Sequence, residues 1–280
     1  MPPSEPETLI DPASLDGLNA HETAFLYEEI VTRRGYLPEG LDLPEHAVVL
    51  DVGANIGVYA LFVRAHRPTA TVYAFEPLPP IFDKLRRNLA AHGEAVKLFP
   101  YGLADRTGEA RFTFYPGYTT MSARSALADT AADRAYVRDL VVGAQGSDLG
   151  DAADFLDEML DHRFREEPYD CRLRRLSEVI EEERLTRIDM LKIDVQRAEA
   201  EVLRGIDDRH WPLIRQLAVE VHDEPGTPTA GRLHEITAAL ETRGFAVRVR
   251  HDGPAANADR AMVFASRSFT HPQGDTRCRA

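Results

Sequence analysis

Short runs of consecutive apolar residues alternate along this chain with segments whose apolar positions recur at helical spacing. That is the pattern of buried parallel strands joined by helices. The runs predict strands at Ala47–Asp51, Thr71–Phe75, Val96–Pro100, Ile188–Asp194 and Gln216–His222. Between them, a helix from Asn55 to about Ala65 stops before Pro68. A second, with Ile81, Phe82, Leu85 and Leu89 on one face, follows Pro77, Pro79 and Pro80 and ends at Gly93. Further helices are predicted from Ser177, as N-cap, to Arg184, around Ala198, Val202, Leu203 and Ile206, and over Leu233–Arg243 before Gly244. Phe245–Arg250 and Ala261–Ala265 resemble a terminal antiparallel hairpin.

Two regions depart from this rhythm. Ahead of the first strand, His21–Arg34 places Ala24, Phe25, Leu26, Tyr27, Ile30 and Val31 apart from Glu22, Glu28, Glu29 and Arg33, so a helix ending at Gly35 is predicted there. It covers the sheet or helps close a site, with Tyr27 and Tyr36 as its candidate contacts. After a strand at Arg111–Tyr115 and the polar turn Gly117–Ser122, an Ala/Asp/Arg-rich stretch precedes a short strand near Cys171–Arg174. It contains one amphipathic helix around 151–164, and its length suits a partly mobile substrate cap. The expected organisation is an N-terminal tail and helix over 1–46, one main domain over 47–265 with a cap at 117–170, and a disordered tail over 266–280.

The first strand opens into Asp51-Val52-Gly53-Ala54-Asn55-Ile56-Gly57, and the second ends in Phe75-Glu76-Pro77. A pyrophosphate site wants Gly-x-Gly-x-x-Gly before a helix N-terminus. Here the spacing is Gly-x-x-x-Gly, and the carboxylate of Asp51 would repel phosphate. A ligand with an ammonium, a sulfonium and a ribose suits the residues better: Asp51 faces positive charge and Glu76 accepts the ribose hydroxyls. S-adenosylmethionine has those groups. Gly53, Ala54, Asn55, Gly57 and Pro77 would complete its cradle, and Gly102 and Leu103, after the third strand, would meet the adenine.

In a doubly wound sheet ligands sit beyond the carboxyl ends of the strands, so Asp194, Glu220 and His222 converge on the same mouth. Alternation puts Glu220 and His222 on one face. For a hydroxyl acceptor His222 is the expected base, with Asp194 or Glu220 orienting it. Tyr118 and Met121 are candidate substrate contacts. A divalent metal on Asp194, Glu220 and His222 is a lesser alternative, and no metal ligand is expected.

Composition narrows the classes. A chain of 280 residues with 44% hydrophobic content can bury a core without staples, and Cys171 and Cys278 are too few for a disulfide framework. A net charge of -13 opposes a nucleic-acid partner, and no apolar run reaches membrane-spanning length. Met1-Pro2-Pro3-Ser4-Glu5-Pro6 lacks the regions of a signal peptide, so a cytoplasmic location and a small-molecule or carrier-bound substrate are expected. Oligomeric state is not legible.

From Val49 to about Val221 the chain resembles the FkbM family of methyltransferases. Asp51–Gly57 stands as its first motif, Phe75-Glu76-Pro77 as its second, Leu191-Lys192-Ile193-Asp194-Val195 with Ala198-Glu199 as its late motif, and Thr120-Met121-Ser122 is similar to its polar turn. The resemblance implies an α/β class I methyltransferase (Rossmann-like) fold of seven mostly parallel strands, the last antiparallel, with helices on both faces. It also implies S-adenosylmethionine as cofactor, S-adenosylhomocysteine as product, and usually transfer to oxygen on natural products or sugars. Transfer to carbon or nitrogen, and a catalytically silent cofactor-binding protein, are the alternatives. Where the family has Glu-Gly, this chain has Gln196-Arg197, which restricts the backbone and puts a cation, a candidate substrate contact, beside the mouth.

Overall fold

The computed structural model describes residues 10–145, 152–251 and 260–269. Of the N-terminal segment expected over 1–46 and the tail expected over 266–280, residues 1–9 and 270–280 lie outside it, as do the start of the expected cap helix and the turn of the terminal hairpin, while Ser266 belongs to the last strand. In chain order the main elements are α1 (Ala20–Tyr27), β1 (Val48–Val52), α2 (Val58–His66), β2 (Thr71–Phe75), α3 (Pro79–Asn88), β3 (Val96–Phe99), β4 (Gly102–Leu103), β5 (Gly108–Phe114) and β6 (Ala123–Arg124). There follow α4 (Thr130–Gln145), α5 (Ala152–Arg163), β7 (Glu167–Arg174), α6 (Leu176–Glu182), β8 (Met190–Ile193), α7 (Glu199–Arg204), β9 (Gln216–His222), α8 (Arg232–Thr242), β10 (Ala246–Arg250) and β11 (Arg260–Ser266).

Seven strands form the central sheet in the order β10-β11-β9-β8-β1-β2-β3. Neighbours from β9 to β3 are parallel, and β11 runs antiparallel to both β9 and β10, so the last strand is the reversed one, as expected. Strand alternation builds a core on each face. Val49, Val72, Ala74, Met190 and Ala218 pack with α2, α3 and the N-terminal segment. Leu50, Val52, Phe75, Leu191, Ile193 and Val219 pack with α6, α7 and α8. Each fully buried Val or Leu is worth about 1.5–3 kcal/mol, so the sheet centre fixes where its tips point.

Three elements differ from expectation. The N-terminal helix stops at Tyr27 and passes into a π-helical turn at Glu28–Thr32. Ser177 is not an N-cap: α6 starts at Leu176, and the buried Ser177 hydroxyl accepts from the backbone N–H of Asp207 at 2.7 Å and sits 2.8 Å from His210 Nδ1. The cap carries two helices, α4 and α5, on a small apolar core of Tyr115, Met121, Val137, Leu156, Leu160 and Phe164. A second sheet, β4-β7-β5-β6, underlies the cap.

Candidate functional site

The tips of β1, β2, β8 and β9 open on a cavity of about 750 Å³, within the size range of small-molecule sites. Its floor is the loop after β1. Gly53 has φ +78°, and a Cβ there would lie 1.8 Å from the Asp194 carbonyl oxygen, so this glycine lets the β1 and β8 tips touch. The Gly53 and Ala54 N–H groups donate to Phe75 O at 3.1 and 2.9 Å, tying the loop to the β2 tip. Gly57, at φ +93°, opens α2 against Leu85. Glu76 is buried on the wall, where its two oxygens accept the backbone N–H groups of Asn55 (3.2 Å) and Leu78 (2.9 Å). Burial pushes its carboxyl up to about 7 against those bonds. Ala54, Asn55, Pro77, Gly102 and Leu103 also line the cavity.

Asp51 does not reach the wall. It is fully buried, with Lys192 Nζ 3.1 Å from its Oδ1, in a register that sets Asp51 beside Lys192 on adjacent strands. The expected contact between Asp51 and a cationic ligand is therefore corrected: the charge is met from inside the protein. Lys192 also donates to Gly53 O (2.7 Å) and lies 3.5 Å from Asp194 Oδ2, so one buried ammonium holds the floor, the β1 tip and the β8 tip. Burial opposes that charge, but Asp51 and Asp194 outweigh it and raise the Lys192 pKa.

Asp194 and Glu220 do line the cavity. The buried Tyr36 hydroxyl donates to Asp194 Oδ2 at 2.8 Å and lies 3.5 Å from Glu220 Oε2. Burial and the nearby carboxylates keep that phenol protonated, so it serves as a donor. Burial, then repulsion from Asp194, pushes the Glu220 carboxyl up to about 7, against the pull of His222 and Arg260. His222 stands behind Glu220. It is buried, its Nδ1 is 2.7 Å from Glu199 Oε1, and its Nε2 is 3.9 Å from Glu220 Oε1. His222 does not take the place on the wall expected of a base: the ring is buried behind Glu220 and engaged by Glu199, whereas Glu220 lines the cavity. Among the described residues, the ligand atoms of Asp194, Glu220 and His222 do not gather closely enough to form a three-ligand metal set.

Two substrate candidates move as well. Tyr27 is off the wall, packed against the core, because on α1 the cavity-facing row is Glu22, Phe25, Leu26 and then Glu29. Arg197 is buried, not beside an acceptor: its guanidinium grips Asp133 of α4 through two contacts, Nη2 to Oδ1 at 2.7 Å and Nη1 to Oδ2 at 3.3 Å. Its φ of +61° is the strain expected where the family has glycine. Tyr118 and Met121 line the cavity. Sequence reasoning missed Glu22, whose carboxylate accepts from Thr120 N (2.6 Å) and Thr119 Oγ1 (2.9 Å) and so pins α1 to the polar turn. It missed Lys192 too, although a lysine inside a strand buried on both faces demands an acid on the next strand.

Residues 51–247 match the family model described as the methyltransferase FkbM domain. The chain is 39% identical over 256 residues to 31-O-demethyl-FK506 methyltransferase FkbM of Streptomyces tacrolimicus, covering 91% of this chain and 94% of that one. It is 33% identical to methyltransferase sdnD of Sordaria araneosa, over 84% of this chain and 86% of that protein. It is also 45% identical over 253 residues to AMB antimetabolite synthetase AmbE of Pseudomonas aeruginosa; the match covers 90% of this chain but spans only 12% of AmbE.

Proposed function

The chain belongs to the FkbM methyltransferase family, and on that premise we propose that it is an S-adenosylmethionine-dependent methyltransferase acting on oxygen of a small-molecule or carrier-bound acceptor in natural-product biosynthesis. Glu76 is the observation that carries the cofactor reading. Its carboxylate is fixed on the cavity wall by two backbone donors, leaving lone pairs for the vicinal hydroxyls of a ribose. Gln196 adds a fitting group, since it lines the same cavity and its buried Oε1 has no partner. With Asp51 spent on Lys192, Asp194 is the wall acid suited to the ligand's cationic end.

When bound, S-adenosylmethionine supplies an electrophilic methyl group. The protein's part is positioning and proton removal. Asp194, gripped by the Tyr36 hydroxyl and flanked by the Lys192 ammonium, is held in place at the mouth. Glu220, ionised above about pH 7, takes the acceptor's hydroxyl proton. His222 and Glu199 orient Glu220 from behind, and Tyr118 and Met121 narrow the acceptor side. Incubation with methyl-deuterated cofactor and a library of hydroxylated acceptors, followed by mass spectrometry, tests this reading. A labelled methyl on oxygen is expected. Cofactor bound with every acceptor unmodified sinks the enzyme reading, and a label on carbon or nitrogen sinks its oxygen specificity.

A further inference from the structure

Among the charged residues on the cavity wall, Arg124 of β6 and Arg260 of β11, which pairs with His222 of β9, stand out for their unpartnered guanidinium atoms. Arg124 is half-buried, its Nε and Nη1 are shielded from solvent without a hydrogen-bond partner, and among the described residues no carboxylate pairs with it. Arg260 Nε is likewise buried and unpartnered. Its only described carboxylate contact is long, 3.8 Å from Nη1 to Glu220 Oε1, and its guanidinium lies 4.2 Å over the Tyr136 ring of α4. Both arginines line the cavity around Met121: Arg260 Nη2 touches Met121 Sδ at 3.4 Å, and Arg124 lies three residues further along the chain.

Leaving guanidinium N–H groups shielded and unpaired costs free energy. Scarcity of acids does not explain it in a chain with 46 acidic against 33 basic side chains. Resting on the methyltransferase reading above, we propose that Arg124 and Arg260 form an oxyanion subsite for the acceptor, which carries a carboxylate or phosphate group beside the hydroxyl presented to Glu220. Guanidinium forks match both groups, and the Tyr136 and Tyr118 rings flank an apolar body. Glu220 would repel the acceptor's anion, so the subsite also sets which end of the acceptor faces the base.

The test is calorimetric titration of the S-adenosylhomocysteine-loaded protein with benzoate, phenyl phosphate and benzamide, which share a ring and differ in charge. At least one anion is expected to bind at least tenfold more tightly than the neutral amide, and the better anion identifies carboxylate or phosphate as the natural group. Arg124→Gln should weaken that anion at least tenfold with S-adenosylhomocysteine affinity held within twofold, and Arg124→Lys should recover part of the loss. Benzamide binding as tightly as both anions, no heat from either anion, or unchanged anion affinity in Arg124→Gln would overturn the proposal. If Arg124→Gln does not fold, the wild-type comparison of anion with amide still decides. Failure of S-adenosylhomocysteine itself to bind is a separate outcome and counts against the cofactor reading.

Discussion

The two halves of the cavity are built differently. On the strand-tip half, backbone groups do the holding: Gly53 and Ala54 donate to Phe75 O, Asn55 and Leu78 to Glu76, and Lys192 clamps three segments from below. On the cap half, α4 is tied to the body by side chains, chiefly Arg197 to Asp133 and the Tyr115 hydroxyl 2.8 Å from Thr130 Oγ1. The α4–α5 pairs are solvent-exposed ones such as Arg138 with Asp157, which contribute little. The first half can hold one ligand geometry in any member of the fold, while the second can change by substituting a few side chains without disturbing the sheet.

The comparison predicts where damage is global and where it is local. Gly53→Val should have the largest effect, since its Cβ meets the Asp194 carbonyl and its φ is positive. Both thermal stability and S-adenosylhomocysteine affinity should collapse, and calorimetry with a melting curve reads both. Glu220→Gln comes next, with methyl transfer slowed about 10²–10⁴-fold while cofactor affinity stays within threefold. The same variant checks a pH effect. Glu220 and Glu76 have folded-state values raised to about 7 from 4.5, so between those pH values the native state binds more protons than the unfolded chain. Their contribution to stability is present below the unfolded value and is lost as pH rises through about 7. The melting temperature of the ligand-free protein should therefore fall across pH 5 to 8, less steeply in Glu220→Gln, and an unchanged slope would speak against a raised Glu220.

Arg197→Met tests the cap half. It leaves Asp133 buried and unpaired, a loss of about 3–5 kcal/mol, expected as faster hydrogen exchange across α4 with near-normal exchange in β1 and β8. Uniform destabilisation of the sheet would erase the distinction between the halves. The smallest effect is expected for His222→Ala, under tenfold on methyl transfer, with its pH-rate limb kept because Glu220 remains. Loss of that limb would restore the histidine as base.

The sequence made the strand-tip half legible and the cap half obscure for physical reasons. Val49–Val52 and Met190–Ile193 are buried throughout and read as mostly apolar runs, and the acid at position 76 directly follows another such run, Thr71–Phe75. Alternation located His222 on the face of Glu220, but it carries no information on depth, and the ring lies behind the carboxylate rather than on the wall. The β5–β7 pairing joins residues about sixty positions apart through half-exposed strands, a contact no local pattern reveals. Position 197 was legible as a departure from the family, but its partner Asp133 lies in a helix too rich in alanine and charge to announce its buried face.

The central claim is that Glu76 on the strand-tip wall holds the cofactor's ribose, and calorimetric titration of wild type and Glu76→Gln with S-adenosylhomocysteine tests it most directly. Losing a charged hydrogen-bond acceptor worth about 1.5–3 kcal/mol should weaken binding roughly ten- to a hundredfold in a variant that still melts cooperatively. Equal affinity in the two proteins, or no binding by the wild type, would contradict it.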